Sequence, residues 1–215
     1  MSSSYTLRYF EFSGIAEPIR LMLLASKSAW TEVHPGWPQE KPNQPFGRLP
    51  VLVEKYADGS PDFIISESGT IERYLAHKFG FFPSDPKKAI LQEQLRDQLT
   101  DIMNLIIPMT KVGDISANVK LDELFAKAKE VLPEALKNNG SCLSAENNEL
   151  TYIDFFVYSF FKSMMPPCAD MTPQYTDSFE SLWSPEVIKL VSIVNADPRL
   201  QSRMAGDKDI FNFLA

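Results

Sequence analysis

The chain has 215 residues, of which 44% are hydrophobic, and it carries a formal net charge of −7 at pH 7. This length is enough for one large domain or two small ones, each with its own hydrophobic core. The negative charge argues against nucleic acids and anionic membranes as partners, and no apolar stretch approaches the ~20 residues that a transmembrane helix needs.

The cellular location is predicted from the start of the chain and from its two cysteines. Residues 1–5 lack the positive charge and the apolar run of a secretory signal. Cys142 and Cys168 show neither a CxxC spacing nor neighbouring metal ligands. We therefore expect a cytoplasmic protein with reduced thiols and without a bound metal.

Up to about residue 83 the sequence predicts short strands that alternate with helices. The alternating pattern of Tyr5–Phe10 predicts a strand, and apolar residues three and four positions apart predict a helix over Gly14–Lys27. Three further strands and a helix are predicted over Trp30–Pro35, Val51–Lys55, Phe63–Ile65 and Thr70–Lys78. We interpret residues 1–83 as a thioredoxin-like domain with the order β-α-β-α-β-β-α, in which a proline-rich loop, Pro35–Pro45, joins the two halves.

From residue 87 onward the pattern is helical. Leucines and isoleucines recur every three or four residues over Leu91–Ile106 and predict a long amphipathic helix. Thr151–Asp154 form a capping-box pattern ahead of an apolar run, and Ser184-Pro185 predicts the start of another helix. We therefore expect a linker at residues 82–86 and an all-helical bundle domain over residues 87–215.

Two segments predict a binding site. Pro50 has no N–H to donate and must open the strand Val51–Lys55, so the Leu49-Pro50 bond is a candidate for the cis isomer. We expect the backbone of Leu49 to face a cleft and to pair with an extended peptide. Ser68 lies between the strand Phe63–Ile65 and the next helix, where free N–H groups and the helix dipole favour a carboxylate. Together the two segments predict a receptor for a small anionic peptide.

The segment from Tyr9 to Arg20 has the sequence Tyr-Phe-x-x-x-Gly-x-Ala-Glu-Pro-Ile-Arg. Together with Pro50, Glu67 and Ser68 it resembles the glutathione site of tyrosine-type cytosolic glutathione transferases, most of all the sigma class. The resemblance covers the chain to about residue 83, whereas the helical half is similar mainly in its pattern. It implies a cytoplasmic homodimer that uses glutathione as co-substrate and needs no metal.

The resemblance also implies roles for individual residues. Tyr9 would donate its hydroxyl to the glutathione sulfur. The other glutathione-binding residues are Trp37 and Lys41 at the glycine end, Leu49 and Pro50 at the cysteinyl residue, and Glu67 and Ser68 at the γ-glutamyl end. Arg48, directly before Leu49, is added to this set. Asp97 and Asp101 are candidates for an acidic residue that the partner subunit contributes, and we favour Asp101; a solvated helix face is the alternative.

Tyr9 suits this role physically, because it falls at the end of the first predicted strand, just before the turn Glu11–Gly14, and can direct its hydroxyl out of the strand end. A thiol with a pKa of ~8.5 is only a few per cent ionised at pH 7. Lowering that pKa by two units needs about 2.7 kcal/mol of thiolate stabilisation, and a hydrogen bond to a charged acceptor contributes ~1.5–3 kcal/mol. One hydroxyl therefore supplies most of the activation without a general base. Ordinary packing of a strand tyrosine is the alternative.

One departure from the family concerns Ser13 and Ile15, which stand where many relatives carry arginine near the tyrosine. A guanidinium there would help to lower the thiol pKa. Its absence leaves Tyr9 with less support, so we expect weak or specialised activity unless Arg48 compensates.

The second substrate must be an apolar electrophile. The candidates for its pocket are Phe10, Phe12, Met103, Ile107, Phe211 and Phe213, with ordinary core packing as the alternative for each. The resemblance implies conjugation of glutathione to such electrophiles, as in detoxification, or reduction of peroxides. A glutathione-dependent isomerase similar to prostaglandin synthases, and a non-catalytic carrier similar to ligandins or crystallins, are the alternative functions.

Overall fold

The computed structural model describes residues 3–112, 119–139, 141–143, 149–161 and 184–204. Its first part contains a four-stranded mixed sheet. The strands are β1 (Ser3–Arg8), β2 (Ala29–Val33), β3 (Val51–Tyr56) and β4 (Phe63–Ser66), in the spatial order β2-β1-β3-β4. β1 pairs in parallel with β2 and antiparallel with β3, and β3 pairs antiparallel with β4.

The α-helices are α1 (Glu17–Ala25), α2 (Ser68–Phe79), α3 (Pro86–Val112), α4 (Val119–Asn138), α5 (Tyr152–Ser159) and α6 (Pro185–Ala196). The predicted fold class, a thioredoxin-like sheet with helices followed by a helical part, is confirmed. The helical element between β2 and β3 consists of two short 3-10 turns, Lys41–Asn43 and Pro45–Gly47. Prolines in both turns remove N–H donors that a longer helix would need.

The bounds of the first helix differ from those predicted. A 3-10 turn, Gly14–Ala16, precedes α1, and the helix ends at Ala25 rather than Lys27. Lys27 has a φ of 57°, in the left-handed region that helical residues do not adopt. The apolar periodicity therefore identified the helix, but backbone conformation at its end set the boundary.

In the first part, buried and less buried side chains alternate along β1, whereas most of β3 lies in the core. Tyr5 and Leu7 of β1 are buried, while β3 is buried on both faces from Val51 to Glu54. Helix α1 packs on α2 and is buried at every position except Leu24. It therefore carries two charged residues, Glu17 and Arg20, into the core, where such groups need partners.

The helical part has its own core around α5, which is buried over its whole length and packs on α3 and α6. The predicted capping box is confirmed: Asp154 Oδ2 accepts hydrogen bonds from Thr151 N at 2.7 Å and from Thr151 Oγ1 at 2.8 Å. The predicted start of α6 is confirmed too, since Ser184 Oγ accepts from Val187 N at 3.3 Å.

The chain divides into two compact units. The first holds the chain up to Phe81 together with the segment from Pro198, and the second runs from Phe82 to Asp197. The assignment of residues 1–83 and 87–215 to a glutathione-binding and a substrate-binding domain stays a prediction. None of the helices in the described ranges combines the length and the apolarity needed to cross a membrane.

Candidate active site

The predicted site residues of the first unit gather at one edge of the sheet. Arg8, the last residue of β1, pairs with Val51 at the start of β3 and with Val33 at the end of β2. Val51 in turn pairs with Ser66, the last residue of β4. The sheet register therefore brings together the residues that follow β1, β2 and β4 and those that precede β3.

Tyr9 leaves β1 at this edge and is held there by its backbone. Its N–H donates to the Val33 carbonyl at 3.1 Å, and its carbonyl lies 3.0 Å from His34 Nδ1. The side chain is 4% exposed. Burial raises the pKa of Tyr9 to about 12, although a hydrogen bond from the Ile15 backbone and the charge of Arg20 oppose the shift. The phenol is therefore neutral and able to donate at any physiological pH.

Gly14 leaves room for the Tyr9 hydroxyl. It has a φ of +45°, and a Cβ at this position would lie 2.6 Å from Tyr9 Oη and 2.7 Å from Phe12 Cε2. Both distances are below van der Waals contact. A glycine is thus required here for space as well as for backbone conformation.

Aromatic side chains surround Tyr9. Its ring makes edge contacts with Phe10 and Phe12, with centroids 5.3 and 5.6 Å apart. Phe10 stacks on Phe12 and makes an edge contact with Trp37, which precedes a second cis bond, Trp37-Pro38, that was not predicted. Phe12 is 53% and Trp37 36% exposed, so an apolar surface is open to solvent beside the phenol.

The Leu49-Pro50 bond is cis, as predicted. Pro50 is buried and Leu49 is partly exposed, directly before β3. The Arg48 side chain is largely solvated, and its Nη2 lies 3.8 Å from Glu67 Oε1. An ion pair of this length and exposure contributes little to stability, so both groups are available to a ligand.

Glu67 and Ser68 form the start of α2, two residues earlier than the predicted start at Thr70. Glu67 has a φ of 69° and a ψ of 117°, and its carbonyl accepts from the N–H groups of Thr70 and Ile71, each at 3.0 Å. The unusual backbone of Glu67 turns the chain from β4 into the helix. It leaves Ser68 in the first turn, where N–H groups lack intrahelical partners and favour an anion.

Lys41 belongs to the first 3-10 turn after β2 and is exposed. Its aliphatic stem lies beside Gly47, in the second turn. The lysine therefore lies in the segment that leads to Arg48 and Leu49.

Sequence reasoning missed a buried cluster next to Tyr9. The guanidinium carbon of Arg20 lies 5.5 Å from the centre of the Tyr9 ring. Arg20 is 2% exposed and pairs with the carboxylates of Glu17 and Glu32. The sequence did contain an indication of this cluster, because Glu17 and Arg20 are two charged residues three positions apart in an otherwise apolar helix. A guanidinium thus lies beside the phenol, although positions 13 and 15 carry Ser and Ile.

The remaining predicted residues belong to the second unit or lie outside the described ranges. Asp97 and Asp101 are exposed on α3, Met103 of the same helix is buried, and Ile107 is also part of it. Phe211 and Phe213 lie outside the described residues. Within the described ranges, no group of three or more His, Cys, Asp or Glu side chains is arranged to hold a metal ion.

No family model matches the chain, but individual known proteins do. A hematopoietic prostaglandin D synthase of Gallus gallus is 30% identical over 176 residues, which cover 80% of this chain and 85% of that protein. The probable glutathione S-transferase 6 of Caenorhabditis elegans is 30% identical over 165 residues, which cover 71% of this chain and 76% of that protein.

Solved structures lead to the same group. A Nu-class glutathione S-transferase from Haemonchus contortus has a TM-score of 0.70 and 28% identity, covering 94% of this chain and 96% of that one. The chain therefore belongs to the cytosolic glutathione S-transferase family and is sigma-like.

Proposed function

We propose that the protein is a glutathione transferase in which the Tyr9 hydroxyl stabilises the glutathione thiolate. The observation that carries this proposal is the buried, neutral phenol at the sheet edge, with cis-Pro50 and the start of α2 at the same edge. A neutral phenol donates a hydrogen bond, whereas a phenolate would repel the sulfur anion.

The peptide would bind along the sheet edge. The backbone of Leu49 pairs with the cysteinyl residue, and Ser68 with the N–H groups of α2 binds the γ-glutamyl carboxylate. Glu67 faces the γ-glutamyl ammonium, to which Asp101 of the partner subunit adds a second negative charge. Trp37 and Lys41 bind the glycine carboxylate, for which an indole N–H and an ammonium are suitable donors.

The reaction would begin with loss of the thiol proton to solvent. The sulfur then attacks an electrophilic carbon and displaces a leaving group, or adds to an activated double bond. With a hydroperoxide, the sulfur attacks one oxygen, the O–O bond breaks, and the alkoxide leaves as an alcohol after protonation. A second glutathione then attacks the sulfenic acid so formed, which gives the disulfide and releases water. The exposed faces of Phe12 and Phe10 fit an apolar second substrate beside the sulfur.

An isomerase is the second candidate, since a relative at 30% identity is a prostaglandin D synthase. In such a reaction the thiolate adds to the substrate and is released again, so glutathione is not consumed. Glutathione consumption against product formed distinguishes the two enzymes. Binding of glutathione without turnover of any electrophile would instead indicate a carrier.

The test is a titration of the ultraviolet thiolate band of bound glutathione against pH, for the wild type and Tyr9→Phe. We expect the thiol pKa to lie well below ~8.5 in the wild type and to rise in the variant by one to two units, roughly the effect of losing one charge-assisted hydrogen bond. An unshifted pKa in both proteins would refute activation by Tyr9.

A further inference from the structure

The turn that follows Tyr9 is fixed by one buried side chain. Arg20 Nη1 donates to the carbonyls of Ser13 at 2.8 Å and Phe12 at 3.2 Å, and its Nη2 donates to the Phe10 carbonyl at 3.1 Å. Its Nε donates to the Glu32 carboxylate at 3.0 and 3.1 Å. The three carbonyls lie outside helices and strands, so Arg20 supplies the hydrogen bonds that regular structure provides elsewhere.

Arg20 also contacts the catalytic side chain proposed above. Its guanidinium faces the Tyr9 ring at 5.5 Å, a cation–π distance. Arg20 thus holds both the ring of Tyr9 and the backbone that leaves it. A displacement of this guanidinium would move the phenol relative to the sheet edge.

A second arginine, far away in the sequence, holds the first one in place. The carboxylate of Glu17, 1% exposed, accepts from Arg20 Nη1 at 3.1 Å. The same carboxylate accepts from Arg203 Nε at 2.8 Å and from Arg203 Nη2 at 2.7 Å. Arg203 belongs to the segment from Pro198, which is part of the first unit. Arg203 therefore binds the Glu17 carboxylate in a bidentate manner, which is the strong form of an arginine–carboxylate pair.

The charges of this cluster balance. Two guanidinium groups, on Arg20 and Arg203, face two carboxylates, on Glu17 and Glu32. Removing Arg203 would leave Glu17 with one partner in a buried position, where an uncompensated charge draws neighbouring groups or water toward it. The hydrogen bonds that Arg20 donates to Glu17, Glu32 and the turn would then change.

We propose that Arg203 is a positioning residue for Tyr9, acting through Glu17 and Arg20, so that the segment after Pro198 sets the activation of the glutathione thiol. The proposal rests on the function proposed above. Arg203 itself does not contact the substrate. It fixes the position of the Tyr9 hydroxyl, and therefore changes the thiol pKa rather than the affinity for glutathione.

The test measures the pKa of the bound thiol, together with kcat and KM, for Arg203→Gln and Arg203→Lys. Since small displacements of a catalytic group reduce rates by up to ~10²-fold, we expect Arg203→Gln to raise the thiol pKa by about one unit, equivalent to about tenfold in thiolate. kcat at neutral pH should fall accordingly, with KM for glutathione within about twofold of the wild type by the same argument. Arg203→Lys, which keeps the charge, should recover part of the loss. Arg199→Gln, on the same segment, is the matched control.

A double-mutant cycle separates positioning from a general structural effect. If Arg203 acts through Tyr9, then Arg203→Gln has no further effect on the thiol pKa in a Tyr9→Phe background. Equal effects in both backgrounds would overturn the proposal, as would a folded Arg203→Gln protein with the wild-type thiol pKa. If Arg203→Gln does not fold, the cycle is made with Arg203→Lys, and additivity there overturns it. An unshifted thiol pKa in the wild type would contradict the proposed function itself.

Discussion

Tyr9 combines burial with a pKa raised to about 12, and this combination determines how activity should depend on pH. The hydroxyl remains a donor at every pH below about 12 and is lost only above it. At saturating glutathione and between about pH 5 and 8, we therefore expect one ionisation in kcat/KM for the second substrate, that of the bound thiol, with activity rising as the thiolate forms. In Tyr9→Phe the rising part of the profile should shift to higher pH, toward the ordinary thiol pKa.

The measurement is a pH profile of kcat/KM with a chromogenic aryl halide. A falling limb between about pH 8 and 10 that is present in the wild type and absent in Tyr9→Phe would contradict this prediction. It would mean that the phenol ionises in the ordinary range of tyrosine and that burial does not hold it neutral.

Gly14 gives a second prediction at the scale of a single residue. In Gly14→Ala the new Cβ would lie 2.6 Å from Tyr9 Oη and would displace the hydroxyl. We expect kcat to fall by up to about 10²-fold through misplacement, together with a loss of roughly 1–3 kcal/mol in stability from the positive φ.

The matched control for this variant is Gly59→Ala. Gly59 has a φ of +78°, but a Cβ there meets nothing within 4 Å. The control should therefore lose stability and keep its activity. Equal catalytic losses in the two variants would show that backbone strain, rather than contact with the phenol, is responsible.

At the scale of an element, the start of α5 depends on a buried carboxylate. Asp154 Oδ2 accepts from Thr151 and also from Cys142 N at 2.9 Å. Burial raises the pKa of Asp154 from 3.8 to about 6, although these hydrogen bonds oppose the shift. The folded protein therefore holds the Asp154 proton more tightly than the unfolded chain does. The resulting stability is fully present below about pH 4 and is lost as the pH rises through about 6.

Asp154→Asn removes this titration. We compare the free energies of unfolding of the wild type and the variant. The difference, wild type minus variant, should decrease by up to about 3 kcal/mol from about pH 4 to 7, since a pKa shift of one unit corresponds to about 1.4 kcal/mol. Urea unfolding at several pH values measures the difference, with Asp62→Asn, at an exposed carboxylate, as control. A difference that increases with pH would show that the carboxylate is stabilised in its charged form instead.

At the scale of the whole molecule, we propose a homodimer formed in part through Phe46. This side chain is 77% exposed, with a φ of 53° that projects it from the turn before Arg48. Phe63 and Ile64 of the edge strand β4 are also exposed, at 45% and 51%. Aromatic side chains are enriched in the buried centres of protein interfaces, so an exposed phenylalanine is a candidate anchor for a second copy of the chain.

We expect Phe46→Glu to convert the dimer into a monomer, as measured by sedimentation at micromolar concentration. It should also weaken glutathione binding, because Asp101 of the partner subunit would be lost from the site. Ile188→Glu, at an apolar residue of α6 that is 54% exposed, should remain dimeric. A monomeric wild type would contradict the proposed dimer, and dissociation of both variants would exclude a specific role for Phe46.

Local patterns in the sequence determined much of this molecule. The periodicity of apolar residues identified the strands and helices, since burial of one face follows directly from strand or helix geometry. The capping box at Thr151 and the cis bond before Pro50 were also predictable, because both depend on residues adjacent in the chain. The same pattern predicted Tyr9 near the end of β1, although the strand ends at Arg8 rather than at Phe10.

The surroundings of Tyr9 were decided by the tertiary structure. The start of α2 at Ser68 depends on the positive φ of Glu67, which no propensity favours. The pairing of Arg203 with Glu17 joins residues 186 positions apart in the chain. Charged residues so far apart show no periodicity that links them, and each alone is typical of a solvated surface. Only the folded chain brings them together in a buried cluster beside the ring of Tyr9.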